Sequence, residues 1–148
     1  MPLIEVREAA DAELPAVLSL LAESGIDGGQ SFTLDEARAQ LTRLRLWRGF
    51  HLLVALVDGE IAGTYSLMIV DKLGKRGAPS GVVEDVAVAP ARQGQGIGRA
   101  MMQHALEECR KAGCYKLALS SSVKRGGAHR FYESLGFERH GYSFAVFI

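Results

Sequence analysis

The chain has 148 residues, 17 acidic and 17 basic side chains, and 48% hydrophobic residues, a composition typical of one globular domain. A neutral chain is a poor candidate for general nucleic-acid binding. No apolar run approaches the ~20 residues that a membrane helix needs, and the first residues lack the pattern of a signal peptide. Cytoplasmic location without a membrane or nucleic-acid partner is therefore expected. The two cysteines fit neither a disulfide framework nor a zinc-site spacing, so no metal is expected.

The charges are unevenly distributed along the chain. Residues 1–90 carry 8 basic and 13 acidic side chains, whereas residues 91–148 carry 9 basic and 4 acidic ones. A basic C-terminal part would suit a small polyanionic ligand. The alternative, in which these charges form solvated faces that interleave in three dimensions, stays open.

Hydrophobic periodicity predicts the first elements. Residues 4–7 alternate as a short strand, and a helix follows with Asp11 as its N-cap. A second helix begins at the capping box of Thr33 and Glu36. Strands at residues 51–57 and 61–70 flank a hairpin turn at Asp58-Gly59.

The second half continues with a β-branched strand at residues 82–88 and an amphipathic helix at residues 97–112, which Gly113 would end. A strand at residues 115–120 and a short helix ending at Gly136 follow. Residues 137–148 are predicted to form two short strands. The order is β, α, α, β, β, β, α, β, α, β, β, which predicts a single α/β domain with a mixed sheet over residues 1–148.

A glycine-rich stretch between the strand at 82–88 and the following helix is the strongest motif. It reads, with its flanking arginines, Arg92, Gln93, Gly94, Gln95, Gly96, Ile97, Gly98 and Arg99. Glycines that open a helix expose backbone N–H groups at the positive end of the helix dipole. This arrangement predicts a site for a phosphate or diphosphate.

Two common phosphate motifs do not fit. The dinucleotide fingerprint G-x-G-x-x-G/A fails, because the sixth position is Arg99 counted from Gly94 and Met101 counted from Gly96. The P-loop pattern G-x-x-x-x-G-K-[ST] is absent from the sequence.

Residues 93–98 instead match the pattern [QR]-x-x-G-x-[GA]. Residues 128–137, which include Phe131 and Tyr132, match a late A-x-x-F-Y-x-x-x-G-F signature. Together with the strand at residues 83–90, these motifs resemble the GNAT superfamily of acetyl-CoA-dependent N-acetyltransferases. The resemblance implies the GNAT-like acyltransferase fold, acetyl-CoA as co-substrate, and transfer of an acetyl group to a primary amine.

The resemblance also implies roles for individual residues. The loop from Arg92 to Arg99 would hold the coenzyme A diphosphate, and the edge of the strand at Val86, Ala87 and Val88 would pair with the pantetheine arm. Glu84 is the candidate base, which is expected to need burial or a water relay, and Tyr132 is the candidate acid. A structural carboxylate at Glu84 and a core aromatic at Tyr132 are the alternatives.

The chain departs from the family pattern at Arg125, where many members carry asparagine. Residues 120–130 resemble the corresponding part of bacterial aminoalkylphosphonate N-acetyltransferases. Lys124, Arg125 and Arg130 could therefore receive an anionic group of the acceptor or the 3′-phosphate of coenzyme A, or they could be solvated. A small-molecule amine is the expected acceptor, and a homodimer is left open. The alternative function is a coenzyme A-binding regulatory module without turnover.

Overall fold

The computed structural model describes residues 3–121 and 126–148. Five strands form one mixed sheet in the order β1-β2-β3-β4-β5. The pairs β1–β2, β2–β3 and β3–β4 are antiparallel. The strands are β1 (Ile4–Glu8), β2 (Phe50–Val57), β3 (Glu60–Val70), β4 (Ser80–Val88) and β5 (Lys116–Leu119).

The described helices follow the predicted order. They are α1 (Leu14–Ser24), α2 (Leu34–Arg45), α3 (Ile97–Lys111) and α4 (Gly126–Ser134). The chain falls into two compact units, Met1–Ala118 and Leu119–Ile148. Among the described helices, none is long and apolar enough to cross a membrane.

Capping explains where the first two helices begin. Thr33 Oγ1 accepts a hydrogen bond from the Glu36 backbone N–H at 3.2 Å, and Glu36 Oε1 accepts one from the Thr33 N–H at 2.9 Å, which confirms the predicted capping box. The prediction for Asp11 is wrong. A 3₁₀ turn over Asp11–Glu13 precedes α1, and its N-cap is Ala10, whose N–H donates to Glu13 Oε1 at 2.7 Å; the N-cap of α1 itself is Glu13. Asp11 instead pairs with Arg45, a partner distant in sequence that local patterns do not indicate.

The core of the first unit lies on both faces of the sheet. Val17 of α1 and Val54 of β2 belong to one buried cluster. Ile97, Met101 and Met102 of α3 are at most 1% exposed. Burying side chains of this size contributes roughly 1.5–3 kcal/mol each to the stability of the fold. This packing makes the sheet and α3 a rigid support for the residues at their ends.

The predicted hairpin is confirmed, with φ of 49° at Asp58 and 85° at Gly59, as a tight turn between β2 and β3 requires. The predicted strands within residues 137–148 are wrong, since this segment contains no strand. Alternating apolar residues indicate a strand only where a partner strand pairs with them, and the sequence pattern does not supply that partner. Phe144 and Ile148 are accordingly exposed.

Candidate active site

A bulge interrupts β4 directly after Glu84. Ser66 of β3 lies opposite Glu84, but Thr64, two residues earlier on β3, lies opposite Ala87. One extra residue is therefore inserted in β4. Asp85 takes the left-handed conformation with φ 54°, which non-glycine residues adopt rarely and aspartate more easily than most. A bulge disrupts the regular ladder and re-aims the neighbouring side chains.

Glu84 lies on the face of β4 that points away from α3. Gly81 marks the opposite face, because a Cβ placed there would lie 2.3 Å from the Sγ atom of Cys109 on α3. Side chains alternate along a strand, so Ser80, Val82 and Glu84 share the other face. Glu84 is exposed, so of the two expected alternatives, burial or a water relay, only the water relay stays a prediction.

The glycine loop, residues 93–98, has the backbone geometry that an anion site needs. Gly94 has φ 80°, and Gly96, the N-cap of α3, has φ 84°. A Cβ at either position would meet nothing within 4 Å, so glycine is required by the backbone conformation and not by protein packing. No side chain among residues 3–121 and 126–148 caps this helix. The N–H groups of its first turn therefore have no side-chain cap and no intrahelical acceptor.

Contacts within the first unit hold the start of α3 against the end of the sheet. Gly63 of β3 pairs with Val88, the last residue of β4. A Cβ at Gly63 would lie 2.9 Å from Cγ2 of Ile97, which is 1% exposed. The close approach of Ile97 to this glycine fixes the helix N-terminus beside the end of β4. Residues 86–88 are consequently held beside the start of α3 and the glycine loop.

The two arginines that flank the glycine loop differ. Arg92 Nη2 lies 3.0 Å from Glu60 Oε2, so this guanidinium already has a carboxylate partner at the start of β3. Arg99 is exposed and has no ion-pair partner within the described part of the chain. Arg99 could therefore pair with an anion at the loop, whereas Arg92 would have to bind that anion while still paired with Glu60.

Tyr132 lies in the second unit, on α4. Its ring centroid is 5.2 Å from that of Phe131 and 5.8 Å from that of Phe137. Its backbone carbonyl accepts hydrogen bonds from the N–H groups of Leu135 and Phe137, which end the helix. Arg130, on the same helix, is exposed. Lys124 and Arg125 lie outside the described residues.

Sequence patterns missed two features of the first unit. The bulge at Asp85 has no signature in the run of alternating apolar residues. A hydrogen bond of 2.7 Å between the Tyr65 hydroxyl and His104 Nδ1 joins β3 to α3. Burial lowers the pKa of His104 below its ordinary value.

Among the residues that the structure describes, no group of three potential ligands is placed to hold a metal ion.

Comparison with known proteins agrees with this architecture. The model of the Acetyltransferase (GNAT) family matches residues 14–137. An aminoalkylphosphonate N-acetyltransferase of Salmonella typhimurium is 33% identical over 147 residues, which are 97% of this chain and 91% of that protein. A glucosamine 6-phosphate N-acetyltransferase of Trypanosoma brucei brucei is 44% identical over 82 residues, 55% of this chain and about half (54%) of that protein's length.

A solved structure extends the similarity to the whole fold. The crystal structure of a Trypanosoma brucei acetyltransferase superimposes with a TM-score of 0.85 at 31% identity and covers 98% of this chain and 99% of that one. The family match covers most of the chain, and the fold is the one that the motifs predicted. The chain belongs to the GNAT family of acetyltransferases.

Proposed function

We propose that this protein transfers the acetyl group of acetyl-CoA to the primary amine of a small molecule that carries a phosphate or phosphonate group. The observation that carries this proposal is the continuity of the glycine loop, the end of β4 and the bulge beside Glu84. In this proposal the first element would hold an anion, the second would pair with the pantetheine arm, and the third would supply a carboxylate.

The residues present fit coenzyme A. Gly94 and Gly96 leave open the space that side chains would fill, and the uncapped N-terminus of α3 offers N–H donors to a diphosphate. Val86 and Val88 follow the bulge and would pair with the amide groups of the pantetheine arm, as an added strand does. When bound, acetyl-CoA supplies the acetyl group as a thioester.

Glu84 would take the proton from the acceptor amine. An alkylamine with a pKa of about 10.4 is almost wholly protonated at pH 7, and deprotonating it costs about 4–5 kcal/mol. Because Glu84 is exposed, a water between its carboxylate and the amine would relay the proton. The neutral nitrogen then forms a bond with the acetyl carbon as the carbon–sulfur bond breaks.

Tyr132 would give its phenolic proton to the departing thiolate. Its position in the late Phe131-Tyr132 signature supports this role, and its contacts with Phe131 and Phe137 hold the ring on α4. The proton lost at the amine and the proton gained at sulfur balance the reaction. Tyr132 regains its proton from solvent after product release.

The names of the relatives support an anionic group on the acceptor. The Salmonella typhimurium protein is named for aminoalkylphosphonates and the Trypanosoma brucei brucei protein for glucosamine 6-phosphate. Both compounds combine a primary amine with a phosphorus oxyanion. The same chemistry would suit this chain.

Release of free thiol from acetyl-CoA, measured against a panel of amines, tests the proposal. The panel pairs glucosamine 6-phosphate with glucosamine, and an aminoalkylphosphonate with the corresponding aminoalkane. We expect turnover with at least one phosphorus-bearing amine and much lower kcat/KM with its uncharged partner. Calorimetric binding of acetyl-CoA without turnover on any amine would contradict this function and favour a regulatory coenzyme A-binding module.

A further inference from the structure

A cluster of basic side chains surrounds Tyr115 at the opposite end of β4 from the glycine loop. Lys72 Nζ donates a hydrogen bond to the Tyr115 hydroxyl at 2.6 Å and lies 4.5 Å from the ring centroid. The ammonium groups of Lys75 and Lys116 lie 5.7 and 5.6 Å from the same centroid. Lys72, Lys75, Lys116 and Tyr115 are called the basic cluster below.

The basic cluster lacks the negative charge that would neutralise it. None of its three ammonium groups forms an ion pair within residues 3–121 and 126–148. The nearest acidic residue in sequence, Asp71, is 4.0 Å from Arg48 instead. Three like charges around one ring repel one another over distances comparable with the Debye length of about 10 Å at 0.1 M salt. An added dianion would relieve that repulsion.

Backbone and side-chain contacts fix the cluster to the start of β4. The Tyr115 N–H donates to the Pro79 carbonyl at 3.1 Å, directly before β4 begins. Hydrogen bonds from Lys72 and Ser80 hold the pKa of the Tyr115 phenol below its ordinary value. Lys75 lies in a tight turn and takes the left-handed conformation with φ 55°. The positive charges are therefore carried by an ordered part of the first unit.

Ser80, whose side chain forms a hydrogen bond with Tyr115 of the cluster, lies on the same strand face as the candidate base. Ser80 and Glu84 both lie on the face of β4 that points away from α3, and four residues of strand separate them by about 13 Å. The long lysine side chains can bring their ammonium groups closer to the Glu84 carboxylate than this backbone separation. An acceptor whose amine reaches Glu84 can place its anionic group at the cluster only if a spacer of sugar size joins the two.

We propose that the basic cluster recognises the phosphate of the acceptor and selects amines whose phosphate is carried on a sugar-sized scaffold over short aminoalkylphosphonates. This inference rests on the proposed function, because it assigns the acceptor to the face that bears Glu84. The inference assigns a different ligand to each of the two anion sites. The glycine loop holds the diphosphate of coenzyme A, and the basic cluster holds the phosphate of the acceptor.

Steady-state kinetics of Lys72→Gln, Lys116→Gln and the double variant test the proposal. We expect KM for glucosamine 6-phosphate to rise at least tenfold in the double variant, with kcat and the KM for acetyl-CoA unchanged. The kcat/KM for unphosphorylated glucosamine should not change. Lys72→Arg, which keeps the positive charge, should raise KM for glucosamine 6-phosphate much less than Lys72→Gln does. Wild-type kcat/KM should be higher for glucosamine 6-phosphate than for aminoethylphosphonate.

Lys111→Gln is the matched control. It removes one ammonium group from an exposed position near the end of α3, where Lys111 pairs with Glu108 outside the basic cluster. Its KM for glucosamine 6-phosphate should stay within twofold of wild type. An equal rise in the control and the double variant, or no rise in either, would overturn the proposal, as would a preference for aminoethylphosphonate.

A binding measurement separates failure of this inference from failure of the proposed function. With coenzyme A present at saturation, inorganic phosphate is titrated while the amide NMR signals of Gly74, Gly77 and Tyr115 are followed. We expect saturable shifts in wild type and at least tenfold weaker binding in the double variant. Shifts without turnover on any amine would reject the proposed function alone, whereas the absence of shifts at these amides rejects the cluster as a phosphate site.

Discussion

We propose an anion site at each end of β4, and the two ends are built differently. At its C-terminal end the glycine loop offers backbone N–H groups, and glycine at positions 94 and 96 maintains the required φ. At its N-terminal end the basic cluster offers ammonium groups around Tyr115. A backbone site keeps its donors at any pH but depends on conformation, whereas a side-chain site depends on charge and is screened by salt.

This difference suggests a division of labour along one strand. The invariant diphosphate of a carrier suits fixed backbone donors. The variable acceptor suits side chains, which can be substituted without disturbing the fold. Glu84 lies between the two ends, at the bulge where the ladder is broken. Substitutions in the middle should therefore change kcat, and those at each end should change KM for one substrate.

The middle of the strand should give the largest effect. Glu84→Gln keeps the size of the side chain and removes the proposed base, which should lower kcat about 100-fold at pH 7, since a general base typically contributes 10²–10⁴. Asp85→Asn is the control, because asparagine also tolerates a positive φ. A comparable loss of kcat in Asp85→Asn would indicate that the bulge, and not the base, had been disturbed.

Tyr132→Phe should lower kcat at least tenfold by removing the proposed proton donor for the thiolate. The KM for acetyl-CoA should change little, because the ring and its contacts with Phe131 and Phe137 remain. Single-turnover kinetics with a saturating amine measure this step directly. An unchanged rate would reject Tyr132 as the acid.

At the coenzyme A end, Gly96→Ala should raise KM for acetyl-CoA about tenfold with little change in acceptor KM. The methyl group enters the space left for phosphate, and loss of one hydrogen bond to a charged group costs about 1.5–3 kcal/mol. Gly59→Ala is matched, with φ 85° and open space around its Cβ, so both variants carry similar backbone strain. A rise in KM for Gly59→Ala as well would mean that strain alone explains the result.

The smallest expected effect concerns stability away from both ends. Burial lowers the pKa of His104, which lies near Glu108, Lys111, Glu8 and His51. The unfolded chain binds a proton more readily below pH about 6.5, so this contribution is present above that pH and is lost as the pH falls. We expect Tm to drop by a few degrees more between pH 7 and 5.5 in wild type than in His104→Gln. Parallel pH profiles of the two proteins would contradict this expectation.

The sequence predicts locally coded features well and long-range ones poorly. The Thr33 capping box and the Asp58-Gly59 hairpin depend only on residues close in sequence, and both are confirmed. The cap assigned to Asp11 fails because the turn begins one residue earlier, at Ala10, whose N–H donates to Glu13, and because Asp11 pairs with the distant Arg45. The strands expected after residue 136 fail because alternation does not specify a pairing partner.

The candidate site divides in the same way. The spacing of its glycines predicts the glycine loop, because backbone conformation depends on neighbouring residues. The partner of Arg92 is Glu60, thirty-two residues away, and sequence offers no signal for it. The basic cluster joins Lys72 to Tyr115 across forty-three residues. Only the order of strands brings such residues together.

The bulge at Asp85 also determines which side of the sheet the later side chains of β4 face. Glu84 and Ala87 face the same side of the sheet although three residues apart, because the inserted residue shifts the alternation by one position. Removal of Asp85 alone would return β4 to strict alternation. The residues from Ala87 onward would then exchange faces relative to Glu84, and the glycine loop would leave the strand from the wrong side. One residue that contributes almost nothing to the core thus fixes how the two halves of the strand are aligned.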